Sequence, residues 1–296
     1  MTLQHEICSI TKKPFPLRMI LRVVGLSSAA WYGVSPLGPK QRPGPKPKIE
    51  DTKALELIQE KVSGDLFVGE GYLKTTYRLR RNGHHIAKHR ILRLMRENQL
   101  LSPTRPVANG KKREHKGRII TTEPNKMWAT DGKKFYAGTN GWCWFFGVID
   151  HFNDELIAFH VAKRGTRFAA MEPVRKAVRK CFGSVEKDIC SGAELRLRSD
   201  HGSQYDSSDF MAEMNFLGLD MSKAYVRSPE CNGIIERFHR TLEEQVFAIH
   251  NFESLDQAKN VLDQFVQDYN KEWILHRTKG LSPIEYREAF EENKLG

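Results

Sequence analysis

The chain has 296 residues, 40% of them hydrophobic and 28% charged, with 47 Lys+Arg against 36 Asp+Glu. That length suffices for one large core or two to three modest ones. Five scattered cysteines (Cys8, Cys143, Cys181, Cys190, Cys231) with no C-x-x-C pair argue against a disulfide framework and against a cysteine-built zinc site. No stretch approaches the roughly 20 apolar residues of a membrane helix, and the N-terminus lacks a signal peptide's apolar centre and cleavage site. A soluble, cytoplasmic protein is the expectation.

The positive charge is concentrated at the front. Residues 1–120 carry 24 Lys+Arg against 9 Asp+Glu, a net +15, whereas residues 121–296 carry 23 against 27, a net −4. A polyanion would dock mainly on the first 120 residues, and nucleic acid is the natural one. A solvated basic surface kept for solubility is the bland alternative.

In chain order, residues 19–34 (MILRVVGLSSAAWYGV) read as one helix with a Gly-Leu-Ser turn. The proline-rich run SPLGPKQRPGPKPK at 35–48 reads as a semi-rigid basic linker, because each proline removes a donor and biases its predecessor to extended geometry. Three helical patterns follow: Leu55, Ile58 and Val62; Leu73, Thr76 and Tyr77; Ala87, Ile91, Leu94 and Met95, with RNGHH as the turn before the last. On the third, His89, Arg93 and Arg96 at i, i+4, i+7, beside Arg90, leave one face basic and one apolar, as in a helix laid in a major groove. An ordinary amphipathic helix with solvated arginines is the competing reading. A second basic linker spans 102–118.

From residue 127 the texture turns to short aromatic and β-branched runs, MWATDGKKFYAG, WCWFFGVIDHF and ELIAFHVAK, separated by TNG and ND. This is a three-stranded antiparallel meander, and its second strand, Trp142 to Ile149, apolar on both faces, is expected to be central and covered on both sides. A helix closed by Gly183, a fourth strand ELRLRSD, a helix carrying Phe210, Met214 and Leu217, a fifth strand DMSKAY and two long helices complete a βββαβαβα order. The two helices are marked by Ile234 through Ile249 and by Leu255 through Tyr269. The tryptophans of the sheet, Trp128, Trp142 and Trp144, are expected in the core rather than stacked on bases.

In this layout Asp131 lies on the first strand, Asp200 at the end of the fourth, and Glu236 in the first turn of the helix after the fifth, sharing its polar side with Arg240. Carboxylates converging there without partners would repel, so the arrangement makes sense if hard divalent cations sit among them. Two such ions can activate a water or a 3′-hydroxyl on one side of a phosphodiester and stabilise the leaving oxygen on the other. Spacing alone is weak evidence among 36 acids. Asp150, ending the second strand, is a rival of the same look, and Asp206 reads as the N-cap of the next helix. His201 reads as a loop residue, with assistance to proton transfer as the sharper alternative.

The segments WATDGKKF, LRSDHGSQYDS and SPECNGIIERFHRTL, with thirty-five residues between Asp200 and Glu236, resemble the catalytic core of bacterial insertion-sequence transposases related to retroviral integrases. YLKTTYRLRRNGHHIAKHRILRLMRENQLL resembles the helical DNA-binding segment that precedes such cores, and YNKEWILHRTKGLSPIEY the segment that closes them. The resemblance implies an α/β, ribonuclease H-like mixed five-stranded sheet flanked by helices, preceded by a small all-α helix-turn-helix domain. It implies these segments: an N-terminal helical piece and linker at 1–48, the DNA-binding domain at 49–101, a linker at 102–120, the catalytic core at 121–252 and a C-terminal helical segment at 253–296. Asp131, Asp200 and Glu236 are then the catalytic residues and the ligands of two Mg²⁺ or Mn²⁺ ions. Gly202, Ser203 and Gln204 shape the loop beside Asp200, and Asn232 and Gly233 start the Glu236 helix near the substrate strand.

Many relatives carry Lys or Arg two turns after the glutamate, whereas Glu243 stands here, so Arg240 is expected to make the DNA-end contact. No His/Cys ligand set of the retroviral zinc module precedes the core. The implied protein is a transposase that binds the double-stranded ends of its element, cuts one strand and joins the freed 3′-hydroxyl to target DNA. It is expected to act as a homo-oligomer on DNA at the bacterial nucleoid, with no membrane. Two alternatives compete: a catalytically inactive DNA-binding regulator on the same core, and a nuclease acting on RNA–DNA hybrids.

Overall fold

The computed structural model describes residues 6–32, 48–64, 66–102, 121–200, 202–223 and 233–293. The chain divides into two compact units, Met1–Lys48 and Ile49–Gly296. The first holds α1 (Leu17–Val23) and α2 (Ser28–Trp31), where the Ser27 hydroxyl caps α2 by accepting from Ala30 N. Where one helix was expected there are two, because Gly25 takes φ +70 between them and ends α1.

In the second unit α3 (Asp51–Gly64), α4 (Tyr72–Arg81) and α5 (Lys88–Glu97) pack around Ala54, Ile58, Leu79, Ile91 and Met95, all fully buried. Val62, expected on the inner face of α3, is 36% exposed, although it shares the helix stripe of the buried Ala54 and Ile58. Between α3 and α4 the chain inserts Phe67 into the same core as Phe265, edge to face with Trp273 at 4.8 Å. Val68 exchanges two 2.8 Å hydrogen bonds with the Gln245 side chain. Arg78, held by Glu70 behind it, reaches the Glu272 carbonyl, and Arg81 pairs with Glu285. The three-helix segment is thus packed onto the α/β part through 67–81, and not joined to it only by the later linker.

The sheet runs β3-β2-β1-β4-β5, with β1 (Met127–Ala137), β2 (Gly141–Asp150), β3 (Leu156–Ala162), β4 (Arg196–Ser199) and β5 (Asp220–Lys223). β1 is antiparallel to β2, and β2 to β3, while β1, β4 and β5 are mutually parallel neighbours. This mixed, helix-flanked sheet is the ribonuclease H-like arrangement. β2 lies between β3 and β1 and is covered on both faces, as its apolar pattern led one to expect, while β1 becomes the middle of the five because the crossover through α6 (Arg167–Phe182) returns β4 to its free side. One face packs Ala129, Phe135 and Phe145 against α8 (Gly233–Leu242) and α9 (Leu255–Glu272), and the other packs Trp128, Phe146 and Val148 against α6 and α7 (Ser208–Leu217).

Two local expectations are corrected. α7 is capped by Ser207, whose hydroxyl accepts from Phe210 N, and not by Asp206. The helix expected to run through Ile249 ends at Leu242 and widens into a π turn at Glu243–Phe247, leaving Ile249 exposed. The chain closes with α10 (Pro283–Glu291), started by a Ser282/Glu285 capping box and Pro283.

Candidate active site

Alternation along β1 turns Asp131, Lys133 and Phe135 to the α8 side and Gly132, Lys134 and Tyr136 to the α6 side. Asp131 therefore faces the helix that carries Glu236. β4 pairs with β1 only as far as Ala129, so Asp200, the first residue past β4, comes level with Asp131. Three acids far apart in the chain are brought to one patch by a strand, a strand end and a helix start.

Their electrostatics register the encounter. The Asp131 carboxyl is pushed up to about 7 by burial first, then by the charge of Asp200, with a smaller push from Glu236, against the opposing pull of the Gly132 N–H and Lys133. Gly132 N donates to Asp131 Oδ1 at 2.7 Å. Burial raises the Glu236 carboxyl as well, opposed by Arg240 one turn along the exposed side of α8. Gly202 N donates to Asp200 Oδ1 at 2.9 Å, and a methyl at Gly202 would stand 2.9 Å from that oxygen and 2.7 Å from Gln204 Nε2, so only hydrogen fits comfortably there. Among the described residues no group of three or more His, Cys, Asp or Glu side chains stands close enough together to hold a metal ion. The three are oxygen-only carboxylates, and the charges of Asp200 and Glu236 add to burial in raising the Asp131 carboxyl, which is chemistry suited to a hard divalent cation.

Three groups at this site were not anticipated. His239 Nδ1 lies 3.5 Å from Asp131 Oδ2, and burial, with Lys133 nearby, holds the imidazole neutral, its pKa down at about 3. The Tyr205 hydroxyl is buried against Thr130, and burial, then the Asp131 charge, raises its pKa well above the usual phenol value. Lys133 Nζ pairs with Glu243 at 3.0 Å, so the acid two turns after Glu236 is matched by a lysine from β1. The signals were present: His239 is i+3 from Glu236 on a helix, and Lys133 is i+2 from Asp131 on a strand.

Asp150 does not join them. It is fully buried, accepting from Asn125 N and Phe152 N at 2.9 Å each and pairing with Arg287 at 3.1 Å, in a network where Arg287 also meets Glu155 at 2.9 Å. Of the expected DNA contacts, His89 and Arg96 are exposed on α5. Arg90 and Arg93 both reach Asp51, and Arg90 also reaches the Ile49 carbonyl at 2.6 Å, tying α5 to the start of α3. Gln204 is half-buried beside Asp200, and Arg240 is exposed. Asn232 and His201 lie outside the described residues, as do both basic linkers save their ends. Trp128 is in the core as expected and Trp144 is half-buried, but Trp142 is 66% exposed, because β2 outruns β3 at that end.

A meander joined to two parallel strands, with acids gathered at β1, β4 and α8, defines an integrase-type catalytic core. Two models of the integrase core domain match the chain, over residues 121–229 and 217–279. The InsD protein assigned to insertion element IS2E of Escherichia coli (strain K12) is 32% identical over 200 residues, which are 67% of this chain and 89% of that relative. Transposase InsD of insertion element IS2D from the same strain has the same identity, and there the matched stretch is 64% of the relative's length. Among solved structures, the catalytic core of BIV integrase aligns over 58% of this chain and 99% of its own at 17% identity and TM-score 0.42. The HTLV-2 integrase core in complex with magnesium aligns over 56% and 98% at 15% identity and TM-score 0.38. The chain belongs to the integrase-core family of insertion-sequence transposases, DDE-type polynucleotidyl transferases.

Proposed function

We propose that Asp131, Asp200 and Glu236 are the catalytic carboxylates of a transposase that binds the double-stranded ends of its element, cuts a strand and joins the freed 3′-hydroxyl to target DNA. The observation that carries this reading is the elevated Asp131 carboxyl, raised by burial first and then by the charges of Asp200 and, less, Glu236, which come from distant parts of the chain. Three acids held against mutual repulsion are a cost to the fold unless a cation offsets it.

On this reading the three carboxylates hold divalent cations, two Mg²⁺ or Mn²⁺ per site. Such ions supply Lewis-acid activation of the attacking hydroxyl and stabilise charge on the leaving oxygen. The chain's own groups do the rest. Neutral His239 braces Asp131, the Gly202 N–H orients Asp200, and the bare Gly202 position leaves room for the DNA backbone to approach. Arg240, Gln204 and Asn232 contact the bound strand. The 49–101 segment binds the element ends through the basic face of α5, where His89 and Arg96 meet DNA directly. Arg90 and Arg93 exchange Asp51 for phosphate there. The 102–120 linker, the 121–252 core and the 253–296 segment keep their expected roles. Protomers pair on DNA because one site handles one strand at a time, and the protein acts in the bacterial cytoplasm at the nucleoid.

The test is strand transfer from a pre-cut oligonucleotide with Mg²⁺ or Mn²⁺. Asp200→Asn abolishes joining and leaves duplex binding intact, and Mg²⁺ raises the melting temperature of the wild type but not of the variant. Joining by Asp200→Asn would overturn the assignment.

A further inference from the structure

The β1–β2 ribbon extends beyond its neighbours. β4 leaves β1 at Ala129 and β3 leaves β2 at Trp144, so the last residues of the hairpin stand as two strands alone. Its turn is nevertheless rigidly held. Thr139 N and Oγ1 both donate to the Glu253 carbonyl, at 2.9 and 3.1 Å, and Leu255 N donates to Asn140 Oδ1 at 2.8 Å. One face of the ribbon is closed by Phe135 stacked on Phe247 at 4.9 Å and packed against Phe252. The other face is open, and it carries Trp142, 66% exposed, edge to face with Tyr136, 58% exposed, at 5.8 Å between centroids.

Single exposed apolar side chains are ordinary, but two large rings in contact on a braced scaffold form a patch whose burial against a partner would be favourable. The surrounding charge selects the partner. Lys134 Nζ sits 5.1 Å over the Trp144 ring, and exposed Lys163 and Arg164 leave the end of β3 alongside. The acid at the rim, Glu243, is occupied by Lys133. Aromatic faces interleaved with cations suit nucleic-acid strands, whose bases stack and whose phosphates pair. Tyr136 and Lys134 share the face of β1 opposite Asp131, so this patch is a surface separate from the one that carries the three acids.

We infer that Tyr136 and Trp142 form a stacking platform for the bases of single-stranded DNA, with Lys134 on the adjoining phosphate. This rests on the reading of the chain as a DNA strand-transfer enzyme. The platform gives the core a grip on splayed single strand that is separate from the basic helices of the 49–101 segment.

The experiment is an anisotropy titration of the full chain, in metal-free buffer, with a labelled single-stranded oligonucleotide and with its duplex, using Tyr136→Ala, Trp142→Ala and Trp142→Phe. Each alanine variant loses about 5-fold or more in affinity for single strand, with a smaller change on duplex, while Trp142→Phe, which keeps a ring, stays near wild type and melting temperatures are unchanged. Equal single-strand affinities in wild type and both alanine variants would overturn the inference. So would loss of self-association in size-exclusion chromatography with DNA affinity unchanged, which would mark the face as a contact between copies of the chain. No chemistry occurs in this titration, so its outcome is read independently of strand transfer. A platform that fails leaves the carboxylate assignment standing, and a failed carboxylate assignment leaves the binding result readable.

Discussion

Replacing Asp131 by Asn makes the metal-free protein more stable while destroying its activity. The Asp131 side chain is only 20% exposed, and its carboxyl stands at about 7 against 3.8 for the isolated group. The folded protein thus binds this proton more tightly than the unfolded chain. Wild-type stability accordingly rises as pH falls from about 7 towards 4, and the cost of the ionised carboxylate is fully present above 7. That shift corresponds to roughly 4 kcal/mol. Asn keeps an oxygen for the Gly132 N–H and removes the charge facing Asp200. Urea denaturation in EDTA should therefore show Asp131→Asn more stable by about 3–4 kcal/mol at pH 8, a gain that shrinks towards zero near pH 4. Added Mg²⁺ narrows the gap at pH 8 by stabilising the wild type alone. Equal stabilities at pH 8, or a gain independent of pH, would refute the electrostatic argument, since the structure offers no other reason for Asn to be favoured.

Two further outcomes follow from particular contacts. Arg287→Met leaves Asp150 and much of Glu155 buried without their guanidinium; the expected loss is about 3–5 kcal/mol in denaturant melts. It is larger above pH 6, because Asp150, already raised to about 6 by burial, escapes the penalty by protonating below that pH. Gly202→Ala forces a methyl against Asp200 Oδ1 and Gln204 Nε2, and its backbone is not in the left-handed region. Strand transfer should fall about 10-fold or more with little change in melting temperature; unchanged joining would show that the loop gives way freely.

The order of elements was legible because each is a local statement. Aromatic and β-branched runs cut by TNG and ND yield strands, and the Ile235, Phe238, Leu242 spacing marks a helix with Glu236 on its outer side. The three carboxylates were legible through their surrounding motifs, since residue spacing in the chain says little about distance in space. Local pattern also misled where two residue types compete for one role. Asp206 and Ser207 are both good caps, and the chain path chose the serine. Trp142 and Trp144 look alike in sequence, and only the length of β3 leaves one of them in water. The Ser282-Pro283-x-Glu285 box of α10 is likewise a local signal of a helix start.

What the amino-acid sequence alone determined is the alternation, the helix faces, the basic front and the identity of the acids, because these depend on near neighbours and on charge. What only the tertiary structure decided is which strand is central, that Phe67 docks the helical segment onto the core, and that Asp51 engages Arg90 and Arg93. It also decided that Lys133 answers Glu243 and that His239 stands behind Asp131. Each of these depends on parts of the chain meeting after long crossovers, where packing and desolvation select one pairing among many that local pattern permits equally.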